Sequence, residues 1–412
     1  MKNFDIPPFY RSQLISLIKT TRAANDTRKQ DFTPTTLDFG PVRFHIARHF
    51  GFCYGVENAI ETSYRAIEEN PDKRIFLLSQ MIHNPEVNAD LESRGIRFLM
   101  NTSGEQIIDW SELTSNDIVM IPAFGTTLAI EEKLAKIGLD IEKYNTTCPF
   151  VERVWKKSNK LGTDAYTILL HGKFNHEETR ATFSRSEQDS ASIILLNIGE
   201  AKLIGDVILG KMAPADFMER FTGRYSEGFD PVRDLQRIGV INQTTMLATE
   251  TQEIADYMRQ VMIEKYGEEE IKAHFADTRD TLCYATNENQ QATYGLLKQP
   301  ADMAIVVGGY NSSNTSHLVE LCEEKLPTYY ISSEREILSA NEIRHYNFHT
   351  NEIRTSTNYL ADKKPLDILL TSGASCPDAV VENVLLKVRS FFDNARTVEE
   401  IAGELRAMQP QK

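Results

Sequence analysis

The sequence has no C-x-x-C pair. Its five cysteines, Cys53, Cys148, Cys283, Cys322 and Cys376, are scattered far apart. That spacing excludes ferredoxin-like local ligation and ordinary zinc-finger sites. An odd, dispersed set also makes no disulfide framework, so a reducing compartment is expected. Long apolar runs are missing as well: the longest are short pieces such as Ile193-Ile194-Leu195-Leu196, far below the roughly 20 residues that span a bilayer. No membrane partner is expected. Nor is there a basic excess, since 45 Lys and Arg stand against 59 Asp and Glu for a net charge of −14. Without an Arg/Lys-rich block, a nucleic-acid partner is disfavoured. A Walker-type glycine loop is absent, so a nucleoside triphosphate is not indicated. No low-complexity stretch or flexible linker separates the domains, which should therefore share interfaces.

What is present is an ordinary globular composition, 41% hydrophobic and 25% charged over 412 residues, enough for two or three domains with cores of their own. Residues 1–41 contain Pro7-Pro8, scattered charges and one apolar cluster, Leu14-Ile15-Ser16-Leu17-Ile18, too short for a signal-peptide core. They read as an N-terminal arm packed on the body. A transit peptide is the rival reading, favoured by Arg11, Lys19, Arg22 and Arg28 and opposed by Asp5, Asp26 and Asp31. The expected location is cytoplasmic, with the plastid stroma as a minor alternative.

Beyond the arm, short apolar runs alternate with amphipathic or polar stretches. Strands are expected at Val42–Ala47, Arg74–Leu78, Asp117–Pro122, Ala165–Leu170, Ser192–Leu196, Arg237–Ile241, Met303–Gly308, Thr328–Ile331 and Leu366–Leu370. Nearly continuous apolar strands between helices indicate an α/β fold with mainly parallel, buried sheets. The expected domains are 42–148, 149–270 with an insertion at 199–235 on its surface, and 271–412 with a C-terminal helical tail. Three cysteines recur at helix starts in this frame. Cys53 lies in Gly51-Phe52-Cys53-Tyr54-Gly55-Val56-Glu57, Cys148 precedes Pro149, and Cys283 opens Cys283-Tyr284-Ala285-Thr286. Helix starts leave backbone N–H groups unpaired, which favours a thiolate there. Cys322, on an apolar helix face, reads as a small buried residue, and Cys376 as a non-ligand.

Ligands of open α/β sheets gather where strands end. The stretches that follow the expected strands are His171-Gly172-Lys173-Phe174-Asn175-His176-Glu177-Glu178, Asn242-Gln243-Thr244-Thr245, Gly308-Gly309-Tyr310-Asn311-Ser312-Ser313-Asn314 and Thr371-Ser372-Gly373-Ala374-Ser375. Small hydroxyl and amide groups beside glycine at a helix start can cradle an oxyanion; plain N-capping is the simpler reading of any one such loop. His176 and Glu178 can bind a metal, or pair a phosphate-binding cation with an acid, or simply be solvated. His83, in Ile82-His83-Asn84-Pro85, also follows a strand end.

Taken in order, the cysteine stretches, Ile82-His83-Asn84-Pro85, His171-Gly172 with His176 and Glu178, Asn242-Gln243-Thr244-Thr245, Asn311-Ser312-Ser313-Asn314 and Thr371-Ser372-Gly373-Ala374-Ser375 resemble the 4-hydroxy-3-methylbut-2-enyl diphosphate reductases, the last enzymes of the non-mevalonate isoprenoid pathway. The resemblance implies three pseudo-equivalent α/β domains arranged as a trefoil around a 4Fe–4S cluster held by Cys53, Cys148 and Cys283, with one iron open to substrate. It implies diphosphate contacts from His83, His176, Ser312, Ser313, Asn314 and Ser375, proton supply from Glu178, and a substrate-orienting Thr244. Isopentenyl and dimethylallyl diphosphate are the implied products. Phe124 stands where many bacterial members carry a histidine. The length of the 199–235 insertion resembles the plant and cyanobacterial branch, whose electron donor is ferredoxin, with flavodoxin as the other candidate donor. An acidic donor would need a local basic patch, for which Lys156, Lys157 and Lys160 are candidates, against an ordinary solvated helix face. A zinc hydrolase of a phosphorylated metabolite built on His171, His176 and Glu178, or a non-catalytic phosphometabolite binder, would use the same loops.

Overall fold

The computed structural model describes residues 4–28, 30–276, 278 and 281–409. The chain divides into two compact units, one comprising Met1–Glu57, His83–Ala89 and Tyr284–Lys412, the other Asn58–Ile82 and Asp90–Cys283. Every strand expected from the sequence is present within a residue or two of its expected ends. The reason is burial on both faces: Met303–Val307 and Leu366–Ser372, for example, have no exposed residue.

In the first unit a five-stranded sheet runs in the order Thr35–Asp38, Val42–Ile46, Leu366–Ser372, Met303–Val307 and Thr328–Ile331. Its pairings are parallel except at the first strand, which returns antiparallel on Val42–Ile46. The strand just before Cys53 therefore pairs with one from the far end of the sequence. Of the stretch read as an N-terminal arm, Thr35–Asp38 joins this sheet as its edge strand, and a helix precedes it. That helix, Gln13–Asn25, is capped by Ser12, whose Oγ accepts from the Ile15 N–H at 2.9 Å, and it buries Leu14, Ile15 and Ile18. Lys19 anchors it by a 2.7 Å ion pair to Asp378. An antiparallel hairpin, Glu342–Asn347 with Glu352–Thr357, completes the unit.

The second unit holds two wholly parallel sheets. One has Ile75–Leu77 between Arg97–Phe98 and Ile118–Met120; the other has the order Ser192–Leu195, Thr167–His171, Ile238–Asn242, Phe275–Ala276. The 199–235 stretch differs from the sequence expectation of a surface insertion. Its helices Ile198–Ile208 and Pro214–Arg220 place Ile204, Ile208, Phe217 and Phe221 in one core with Leu169, Ile193 and Val240. Phe217 and Phe221, one helical turn apart, stack at 4.7 Å, so this segment covers a sheet face. Among the described residues no helix is long and apolar enough to cross a membrane.

Candidate active site

All three cysteines stand where the sequence put them, immediately before the helices Tyr54–Glu69, Pro149–Thr163 and Tyr284–Leu296. A shared tether was not foreseen. The Cys53 N–H donates to the Ala374 carbonyl at 3.2 Å, that of Cys148 to Ala123 at 3.0 Å and that of Cys283 to Thr244 at 3.1 Å. Each acceptor lies just past the C-terminal end of a strand, and each strand belongs to a different sheet. Three helix starts are thus tied to three sheets by one kind of bond. All three side chains are partly exposed, whereas Cys322 and Cys376 are fully buried.

The helix-start argument for a stabilised thiolate is overruled at Cys148. Burial pushes its thiol up to about 12, against the lowering effect of the Phe150 and Val151 N–H groups, and a negative Cys283 nearby pushes the same way. Two neighbouring thiolates in a partly dry site need a cation to hold them. N–H donors aimed at the sulfur, a raised thiol and a second thiol close by form a donor set suited to a thiolate-bound metal centre.

Around the same two cysteines lies a proton-active group. Glu178 is 1% exposed, and the Thr244 N–H and Oγ1–H donate to its two carboxylate oxygens at 2.5 and 2.9 Å. Burial nevertheless raises its pKa to about 7. His176 caps the helix Glu177–Asp189, its Nδ1 accepting from the Glu178 N–H at 3.2 Å. An accepting Nδ1 puts the ring proton of the neutral imidazole on Nε2, where it can be donated to an anion. Phe124 stands edge-on to this ring at 5.6 Å and 84°. Gln243, which the sequence reading left without a role, organises the loop. It is fully buried, and its Oε1 accepts from the Lys173 N–H and from Thr179 Oγ1, both at 3.0 Å.

His171 is not part of this group. It is fully buried, with Nε2 against the Leu196 carbonyl at 3.1 Å and Nδ1 against Thr251 Oγ1 at 3.3 Å. Both nitrogens are committed to the core, and among the described residues no three His, Cys, Asp or Glu side chains surround a single ion position. The zinc-hydrolase reading falls with it. Cluster thiolates bind separate irons and need not meet at one point.

The first unit assembles the remaining residues around Ala374-Ser375. The Ser375 hydroxyl donates to the His83 carbonyl at 3.0 Å, and a Cβ on Gly309 would run into that same carbonyl, so only glycine lets the two loops close up. Asn314 Oδ1 accepts the Ala374 N–H at 2.9 Å and Asn289 Nδ2 at 3.3 Å. The backbone donor fixes which way the carboxamide points. Asn314 Nδ2 and Ser313 Oγ are both buried and have no hydrogen-bond partner among the described residues, and Asn84 Nδ2 is in the same state. Ser312 Oγ is occupied as the helix cap, accepting from the Thr315 N–H at 3.2 Å and from Thr315 Oγ1 at 2.9 Å. Buried donors without partners are rare in folded proteins. Several together beside glycines mark a place for an anion.

Residues 44–389 match the family described as LytB protein. The chain is 40% identical over 380 residues to the 4-hydroxy-3-methylbut-2-enyl diphosphate reductase of Thermosynechococcus vestitus, covering 92% of this chain and 89% of that one. It is 41% identical over 350 residues to that of a Picosynechococcus strain, covering 85% and 84%. A solved structure of (E)-4-hydroxy-3-methyl-but-2-enyl diphosphate reductase, titled the terminal enzyme of the non-mevalonate pathway, matches with a TM-score of 0.51 and 23% identity over 84% of this chain and 99% of that one. The Plasmodium falciparum reductase structure matches with a TM-score of 0.60 and 19% identity over 90% and 100%. The chain belongs to the LytB protein family.

Proposed function

We infer that the chain reduces (E)-4-hydroxy-3-methylbut-2-enyl diphosphate. The substrate takes up two electrons and two protons, its allylic C–O bond breaks, and the products are water and isopentenyl or dimethylallyl diphosphate. The observation that carries this reading is the linked set Cys283, Thr244, Glu178 and His176, which puts a near-neutral acid beside a metal-binding thiol. Cys53, Cys148 and Cys283 are read as the ligands of one iron–sulfur cluster, of the 4Fe–4S type with one iron free of protein ligands. When bound, such a cluster supplies single electrons and a Lewis-acidic iron.

The protein's own groups do the rest. Ser313 Oγ and the Asn314 amide, buried and unpartnered, bind the diphosphate, aided by His83, Ser312 and Ser375; His176 contributes its Nε2 proton. Glu178 is about half protonated near neutral pH and delivers a proton to the departing hydroxyl. Thr244 Oγ1, 2.9 Å from Glu178, can accept from the acid while donating to the substrate oxygen, which positions that oxygen on the proton path. The electrons come from a small one-electron carrier, a ferredoxin or flavodoxin, and the proposed compartment is the cytoplasm. The test is turnover of the hydroxylated diphosphate by anaerobically purified protein with reduced methyl viologen. Iron, sulfide and both product diphosphates are expected; a colourless, inactive protein after cluster reconstitution would refute the reading.

A further inference from the structure

The helix Pro149–Thr163 begins at Cys148 and carries its apolar residues Val151, Val154 and Leu161, with Ser158, into the core. Its opposite face is different in kind. Pro149, Arg153, Lys156 and Lys160 are exposed there, at intervals that place them in one stripe. Arg153, Lys156 and Lys160 form no ion pair among the described residues. Lys157 is half-buried off the stripe. Of the acids on this element, Glu152 is half-buried to one side and Asp164 closes the helix at its far end. Asp189, on the neighbouring helix, takes Asn159 rather than a lysine. The Arg153 guanidinium lies 5.5 Å from the Phe150 ring centroid, so an aromatic surface adjoins the cations.

We propose that this stripe is the docking face for an acidic one-electron carrier protein, an iron–sulfur protein of the plant-type ferredoxin class. The proposal rests on the reductase reading, because only an enzyme that consumes external electrons needs such a partner. At net charge −14 the chain repels an acidic protein at long range. Within a Debye length of about 8–10 Å, however, the approaching protein senses only the local face. Three unpaired cations there are complementary to it. The helix also leads straight to the metal site: at about 1.5 Å per residue, Arg153 lies about 8 Å and Lys160 about 18 Å along the axis from Cys148. A carrier seated on the N-terminal half of the stripe is held next to a ligand of the centre it must reduce. Each docking event passes one electron, the carrier being oxidised and the centre reduced, and two events complete one turnover.

The experiment compares the holoenzyme with its Lys156→Glu/Lys160→Glu and Arg153→Glu/Lys156→Glu variants, driven by a reduced plant-type ferredoxin or by reduced methyl viologen. With ferredoxin at low salt, each double variant should raise the KM for the carrier about tenfold or more, and raising the salt should narrow the gap to the unsubstituted enzyme. With methyl viologen, kcat should stay within about twofold, since a small dye needs no docking face. An unchanged KM for ferredoxin with an unchanged salt dependence would overturn the assignment. So would equal losses with both reductants, which would make the stripe part of the fold. An unsubstituted holoenzyme inactive with methyl viologen would overturn the reductase reading itself and this proposal with it.

Discussion

The two units treat their buried polar groups in opposite ways. In the first unit Ser313 Oγ, Asn314 Nδ2 and Asn84 Nδ2 are buried and unpartnered, a state that disfavours the ligand-free fold by about 1–3 kcal/mol per group. In the second, Glu178 is equally buried, yet both its oxygens are engaged by Thr244. On the proposed reading, an anion would supply the bonds that the first set lacks. In the second, the carboxyl is held by Thr244 while burial raises its pKa to about 7, so that it still carries a proton to give near neutral pH. On the proposed reading the difference separates binding from chemistry, and it can be broken residue by residue.

The largest effect is expected at the helix-start cysteines. Cys148→Ser should abolish bound iron and sulfide and with them all turnover, whereas Cys322→Ala, a change at a fully buried thiol, should keep both. Metal analysis of anaerobically purified protein decides, and a full cluster in the serine variant would remove Cys148 from the ligand set. Glu178→Gln comes next. A lost general acid lowers kcat by roughly 10²–10⁴-fold, with KM for the diphosphate nearly unchanged if binding belongs to the other unit. The pH dependence has a definite sign. Burial raises the carboxyl from its ordinary 4.5 to about 7, so the protonated, active form is lost as pH rises through about 7, and kcat should fall there. The stabilising contribution of the protonated form follows the same course: it is full below about 4.5 and disappears as pH rises through about 7. Glu178→Gln should flatten that part of the Tm-versus-pH curve.

A smaller and more selective effect is expected at Asn289. Its Nδ2 donates to Asn314 Oδ1, which already accepts the Ala374 N–H. Together these bonds leave the Asn314 amide hydrogens as the face offered to an anion. Asn289→Asp replaces the donor by an acceptor and adds a buried negative charge beside the cradle. KM for the diphosphate should rise about tenfold, since one lost charge-assisted bond is worth about 1.5–3 kcal/mol, with kcat changed far less. A fall in kcat at constant KM would contradict the division between the units.

Much of this frame was readable from the chain. Nine strands of the three larger sheets were legible because doubly covered strands are continuous apolar runs, whereas the short strands Thr35–Asp38, Arg97–Phe98 and Phe275–Ala276 were not. The hairpin Glu342–Asn347 with Glu352–Thr357 was not, because its second strand is almost wholly exposed and shows no apolar alternation. The 199–235 stretch holding Phe217 and Phe221 was read as a surface insertion, although their one-turn spacing is itself a core signal. At the site, residue types and order were legible, but the direction of hydrogen bonds was not. Nothing in Thr371-Ser372-Gly373-Ala374-Ser375 says that Ser375 is turned to the His83 carbonyl, and Asn289 sits in a polar helix where one amide looks like another. Contacts between residues remote in sequence carry that information.

The smallest effect is the one that tests the comparison most directly. Ser313 Oγ is buried without a partner, so Ser313→Ala removes an unsatisfied polar atom and leaves no room-filling group missing. In the ligand-free protein this change should stabilise, raising Tm by a few degrees, because an orphaned buried hydroxyl costs about 1–3 kcal/mol. With the diphosphate bound, the same hydroxyl has found its acceptor, and its loss should weaken binding by roughly five- to tenfold, the worth of about 1–1.5 kcal/mol. Opposite signs are therefore expected from one substitution: higher melting temperature in apo scans and a higher Kd by calorimetry. A serine that merely caps its helix would give the reverse in the first measurement and nothing in the second. Ser312→Ala supplies that contrast within the same loop, since Ser312 Oγ does hold the Thr315 N–H and its removal should cost about 1 kcal/mol of stability.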